Sequence, residues 1–187
     1  MSKDGMTLFT LLLCLFPLVA EAKFIRPIVP GFEAPRAETR LDVHILGKIS
    51  NNGWYPVHVA PQGPTPGFSY SLGFYANYGQ AEVVVVGLPP LVAQEFLGIL
   101  AERVIEAAPP FEMYKGYDGI AEGSQIAFVP VAMHHFPDHF DYGGWFYYSM
   151  DTDVPFVQMV WPDATGKFPW EKGYDPVYRD AQPLLNK

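Results

Sequence analysis

The sequence predicts an α+β domain: a mainly antiparallel sheet of five or six strands, with one long helix and a few short helices packed on it. Three observations predict this. Short alternating or β-branched runs recur at residues 68–74, 82–88 and 155–161, with the period of two that belongs to strands. Residues 91–107 instead carry apolar groups at helical spacing. The connection between the strand-like runs at 54–60 and 68–74 is seven residues, Pro61 to Gly67, which suits an antiparallel pair rather than a crossover. A chain of 187 residues, 49% apolar and 17% charged, is the right size and composition for one folded domain, expected over residues 41–187.

The elements follow in order. Leu41, Ile45 and Ile49 recur every four residues, so residues 40–51 are expected to form an amphipathic helix stopped by Asn52-Gly53. His44 lies among its apolar positions and reads as a packed or surface histidine. Residues 54–60 form a first strand. In the second, Phe68, Tyr70, Leu72 and Phe74 face one way, and Ser69, Ser71 and Gly73 the other. That small-residue row fits close approach of a neighbouring element, or a ligand groove. Residues 75–80 read as a turn. Residues 82–88, with four consecutive valines, read as a buried central strand. Pro89-Pro90 then opens the long helix, whose apolar stripe is expected at Val92, Phe96, Ile99 or Leu100, and Val104. Two further strands are expected at 111–117 and 125–133, and a short helix within 141–150. In the strand at 155–161, Phe156, Gln158 and Val160 share one face, and Val157, Met159 and Trp161 share the other. Asp175-Pro176 is an N-cap followed by proline at the first position of a short helix.

Residues 1–22 read as a secretory signal, with Lys3 in the basic region, an apolar stretch from Thr7 to Val19, and Ala20-Glu21-Ala22 at the cleavage position. An uncleaved anchor is the alternative. Export to the periplasm or medium is the expectation, with a proline-rich extended leader over residues 23–40. Cleavage would remove Cys14, the one cysteine, and with it any cysteine nucleophile. The net charge of −8 argues against nucleic acid, and against an anionic membrane surface once the signal is gone. A small molecule or a protein is the expected partner.

The most distinctive stretch runs from Val154 to Leu185, where Trp161 and Trp170 stand among five prolines. It reads Gln158-x-Val160-Trp161-Pro162-Asp163, then Gly166-x-Phe168-Pro169-Trp170-Glu171-x-Gly173-Tyr174, then Gln182-Pro183-Leu184-Leu185. Earlier come Gly53-Trp54, the run from Phe68 to Gly73, and Val86-Gly87-Leu88. In these motifs the chain resembles the bacterial domain-of-unknown-function family 4262, over roughly residues 41–185. That family usually has His-Pro-Glu before its apolar strand. Here Gln80-Ala81-Glu82 stands in its place, so no role of that histidine carries over. The resemblance implies no activity.

Site chemistry is sparse. The nucleophile elbow, the phosphate-binding loop and the dinucleotide fingerprint are all missing. His135 and His139 are four apart but separated by Pro137, which disfavours the helix that would align them on a metal. They are weak metal candidates against a plain polar loop, and no cofactor is assigned. The expected site gathers Tyr70, Gln158, Trp161, Asp163, Trp170, Glu171 and Tyr174, rings with polar tips beside two carboxylates. A binding module with an aromatic groove for a small molecule or peptide is the leading expectation. The alternatives are a hydrolase using Asp163 or Glu171 with a histidine, and a protein-partner inhibitor or immunity-type protein. A flavin-binding arrangement rests on fold-level analogy alone. For Asp163 and Glu171 themselves, local turn and capping duty competes with catalysis.

Overall fold

A computed structural model describes residues 26–135 and 140–187. The signal-like segment, the first residues of the leader and His139 lie outside the described residues. The order of elements is α1 (Arg40–Asn52), β1 (Tyr55–Val59), β2 (Phe68–Leu72), α2 (Phe74–Tyr78), β3 (Glu82–Val86), α3 (Pro90–Ile105), β4 (Tyr117–Ala121), β5 (Ser124–Pro130), α4 (Asp141–Phe146) and β6 (Phe156–Val160). A 3-10 turn, Pro176–Tyr178, follows. The strands form one six-stranded sheet in the order β1-β2-β3-β6-β5-β4. Every neighbouring pair is antiparallel except β3 and β6.

Alternation within the strands sorts the core onto two faces. Tyr70, Leu72, Val84, Val86 and Phe156 pack with Ile45 and Ile49 of α1 and Phe146 of α4. Val83, Val85, Phe128 and Met159 pack against Leu97, Leu100 and Ala101 of α3. The split expected for residues 156–161 holds, with Trp161 and Met159 on the α3 side. The stripe expected for the long helix holds at Leu100 and Val104, but Ala93 and Leu97 take the buried places expected for Val92 and Phe96. Ala93, Leu97, Leu100, Ala101 and Val104 are buried, while Val92 and Ile99 are each 38% exposed. Two alanines in the buried row let the helix lie close to the sheet, an option that scanning for large apolar residues overlooks.

Other differences are local. There are two long helices, since α1 spans 13 residues and α3 spans 16. Thr39 and Asp42 close a reciprocal capping box at the start of α1, although Thr39 was expected in the extended leader. Residues 75–80 are mostly the single turn α2, held between Gly73 and Gly79, both at positive φ. Residues 111–116 are not a strand. The hairpin forms later, as β4 and β5 around Glu122-Gly123, because Tyr114 sits at φ 63 and breaks any extended run there. The described part of the leader is docked: Phe32 packs on Phe146 and Tyr147, and Ile28 N–H donates to the Ala76 carbonyl at 2.8 Å.

The hydrogen-bond phase of the sheet matters for one edge. Gly87 N–H donates to the Gly67 carbonyl at 2.8 Å, continuing the register Phe68↔Val86. In an antiparallel ladder hydrogen-bonding direction alternates, so the even residues of β2 turn their backbone toward β1. They pair there with Tyr55, Val57 and Val59. Pro56 and His58 therefore point their backbone groups away from the sheet, where the missing N–H of Pro56 breaks no ladder bond.

Candidate functional site

Where β1 ends, β2 begins and β3 passes into α3, the structure opens a cleft of about 500 Å³. Its walls are Val59, Pro61, Pro66, Phe68, Leu88, Pro89 and Pro90, with the backbones of Gly67 and Gly87. The prolines fix φ along much of the wall, so its shape is set before anything enters. Gly87 is required there. It lies at φ 78, and a Cβ at this position would run into the Ala181 carbonyl of the C-terminal segment.

The polar contribution to the cleft is a histidine and a serine. His58 and Ser69 are opposite each other in the β1–β2 register, and His58 Nδ1 lies 2.8 Å from Ser69 Oγ. Ser69 is buried at 1% exposure, whereas His58 is exposed. When the serine hydroxyl donates to Nδ1, the ring proton resides on Nε2, which is then a free donor. His58 also lines a second cleft of about 420 Å³, with Lys48 and Asn52 of α1, Trp54, Tyr55 and Pro56 before it, and Gln94 and Gly98 of α3. His58 is thus common to the linings of both clefts.

A buried carboxyl lies deeper in the sheet. Glu82 is 0% exposed at the head of β3. It accepts from Gly73 N–H at 2.7 Å, from Tyr75 N–H at 3.2 Å, and from the hydroxyls of Ser71 and Tyr147. Gly73 can aim its N–H inward because it sits at φ 113, open to glycine. Burial pushes the Glu82 carboxyl above the ordinary carboxylate range, against the pull of its four donors. Burial also pushes Tyr147 upward, with the neighbouring Glu82 adding to the effect. The cage ties β2, β3, α2 and α4 together from inside, and it satisfies the carboxylate without a counter-ion.

The residues expected to form the site are placed differently from one another. Tyr70 is 1% exposed on the α1–α4 face, among Phe68, Phe140 and Phe156, and burial raises its pKa. Gln158 is fully buried. Its side-chain amide donates to the Pro183 carbonyl at 3.0 Å and accepts from Leu185 N–H at 2.8 Å. Gln182 reciprocates on β6, accepting from Trp161 N–H and donating to the Trp161 carbonyl, each at 2.9 Å. Two glutamine side chains thus reproduce strand-like pairing between β6 and the C-terminal segment. The Trp161 indole donates to the Val86 carbonyl at 3.0 Å and packs edge-on to Tyr178.

Asp163 is turned into its own loop. One oxygen accepts from Thr165 N–H, the Thr165 hydroxyl and Lys167 N–H, and the other from Asp175 N–H. Burial works against the charge, but these bonds outweigh it and hold the carboxyl well below its usual range. Glu171 accepts from Phe168 N–H at 2.7 Å. Trp170 stacks on Phe168 with ring centres 5.1 Å apart, and Tyr174 is buried near Tyr178. Tyr70 and Trp161 lie on opposite faces of the sheet, and none of the seven lines either cleft at His58. His135 Nε2 lies 3.2 Å from the Lys187 carbonyl oxygen, beside the His134 ring.

Sequence reading missed His58, Ser69 and Glu82. Pairing His58 with Ser69 needs the register of β1 on β2, which a seven-residue loop leaves open. Glu82 did leave a signal, as a carboxylate heading a run of four valines. Its partner Tyr147, 65 residues away, left none.

Comparison with curated proteins found no match, nor did comparison with solved structures. A family model does match, over residues 48–175, about two thirds of the chain. That span takes in every residue lining the two clefts, the Glu82 cage up to Tyr147, and the loop from Trp161 to Asp175, but ends before Gln182. On this match the chain belongs to the DUF4262 family, a domain of unknown function.

Proposed function

We propose that the domain is a binding module for a small, largely apolar molecule carrying a hydrogen-bonding group, seated in the cleft at His58. The observation that carries this reading is the cleft itself. About 500 Å³ is within the range of small-molecule sites, and an apolar wall with one convergent polar pair is their usual make-up. The aromatic motif supports the reading indirectly: the turn that carries Gly87 is buttressed by Trp161 and the C-terminal segment.

The hydrolase alternative draws less support. The oxygens of Asp163 and one oxygen of Glu171 are engaged by backbone N–H groups of their own loop. A protein partner has one observation in its favour, the exposed Leu91, Val92, Ile99 and Ile105 on α3. Export, proposed from the Thr7–Val19 stretch, would place the cleft outside the cytoplasm.

The test is a fragment screen on isotope-labelled protein, read through amide shifts. Hits should converge on residues 58–61, 66–69 and 87–90. A Leu88→Trp variant, which fills the cleft from a half-exposed position, should remain folded and lose them. Hits scattered elsewhere, or kept by that variant, would count against the cleft.

A further inference from the structure

We infer that the occupant of the cleft at His58 is an amphipathic anion, its apolar body against Phe68, Leu88 and Pro89 and its carboxylate-like head toward His58 and, beyond it, Lys48 of the second cleft. This rests on the reading of the cleft as a small-molecule site and names the class of molecule. Twenty Asp and Glu residues outnumber twelve Lys and Arg in the chain, yet no carboxylate lines either cleft. The one Lys or Arg among the lining residues is Lys48 of α1, in the second cleft. Lys48 is exposed and forms no ion pair among the described residues.

Two side chains of the second cleft can therefore meet an anion, beside the neutral amides of Asn52 and Gln94. One is the Lys48 ammonium. The other is His58, whose Nε2 carries a proton when the Ser69 hydroxyl donates to Nδ1. A neutral ligand would use the ring donor and leave the ammonium idle. A cation would face Lys48 across the second cleft and be repelled. An anion matches both, and in a chain of net charge −8 this acid-free corner is where an anion meets least repulsion. The apolar walls of the first cleft then decide the rest of the molecule, since a bare inorganic anion would leave them uncovered.

The experiment titrates labelled protein with octanoate, 1-octanol and octylamine, three probes that share a tail and differ in head group. Trp54, which lines the second cleft, adds its indole resonance to the amides of the first. Octanoate should bind about threefold or more tighter than either of the others, the size of one exposed charge pair. Lys48→Gln should erase most of that margin while leaving octanol binding unchanged. Equal binding of octanoate and octanol in the cleft would overturn the anion and leave the small-molecule reading standing. A preference for octylamine would overturn the anion outright. Failure of all three probes to move the cleft resonances would remove the small-molecule reading, and the anion with it.

Discussion

Two regions of this domain are rich in unusual residues, and they use them in opposite ways. In the C-terminal region, from Gln158 to Leu185, the buried polar side chains bond to the chain around them. Gln158 and Gln182 trade bonds with the backbone opposite, Asp163 gathers its own loop, and Glu171 closes a turn. At the His58 cleft the walls are apolar and prolyl, and a polar group is left pointing at open space. A distinctive motif is therefore no guide to where a ligand sits. Side chains with every bond committed hold a structure up, while a site keeps some bonding capacity in reserve.

The strongest way to break this contrast is Trp161→Ala. The ring is packed on the α3 face and its N–H holds the Val86 carbonyl, next to the turn at Gly87. Its removal should lower unfolding stability by about 3 kcal/mol in urea denaturation, the low end for a tryptophan that is only partly buried. It should also broaden the cleft resonances, since the turn loses its buttress. A folded variant with stability near wild type would return Trp161 to the candidate binding residues.

Acid offers the next test. The folded-state pKa of Asp163 is held below its unfolded value. The stabilisation it brings is therefore fully present above the ordinary carboxylate range, and it is lost as pH falls through that range toward the folded value. Asp42, also held low by the Glu38 N–H and by the capping box with Thr39, contributes in the same direction, so the wild-type curve alone does not separate the two. Asp163→Asn does. Its amide would set an N–H against that of Asp175, so the variant should be less stable at neutral pH. The deficit should shrink as pH falls below about 4, where the Asp163 carboxyl of the unfolded wild-type chain takes up its proton while that of the folded chain is still charged. A deficit constant from pH 7 to pH 3 would mean that the charge of Asp163 contributes nothing.

How much of this was legible in the sequence follows from the range of the forces involved. The α+β class and five of the six strands declare themselves through periodicity, which is local. The capping box of Thr39 with Asp42 was equally local and readable, but Thr39 lay one residue outside the range expected for the helix. The order β3-β6-β5 was not legible, because an apolar strand of five residues pairs equally well with several neighbours. The same limit applied to the site. Trp161 and Asp163 drew attention because large rings and turn carboxylates are conspicuous in a sequence, but what they touch depends on residues 12 to 75 positions away. The cleft instead is built from prolines and glycines that read as plain loop, and from a histidine and a serine that become neighbours only through strand register.

The smallest expected effect on stability falls on the residue that matters most to the cleft. His58 is exposed, and the one polar contact found for its ring is Ser69. His58→Ala should cost about 1 kcal/mol, the toll of leaving the buried Ser69 hydroxyl without that partner. Its effect on binding should be disproportionate: the polar anchor of the cleft goes, and ligand-induced shifts at Gly67, Gly87 and Leu88 go with it. Trp161→Ala and His58→Ala thus form an opposed pair, one expected to damage the fold first and the other the site first. If His58→Ala instead unfolds the domain, the His58–Ser69 pair is another inward-facing staple, and the contrast between the two regions dissolves. If it leaves both stability and ligand shifts unchanged, the apolar walls bind alone and the polar pair is incidental to the cleft.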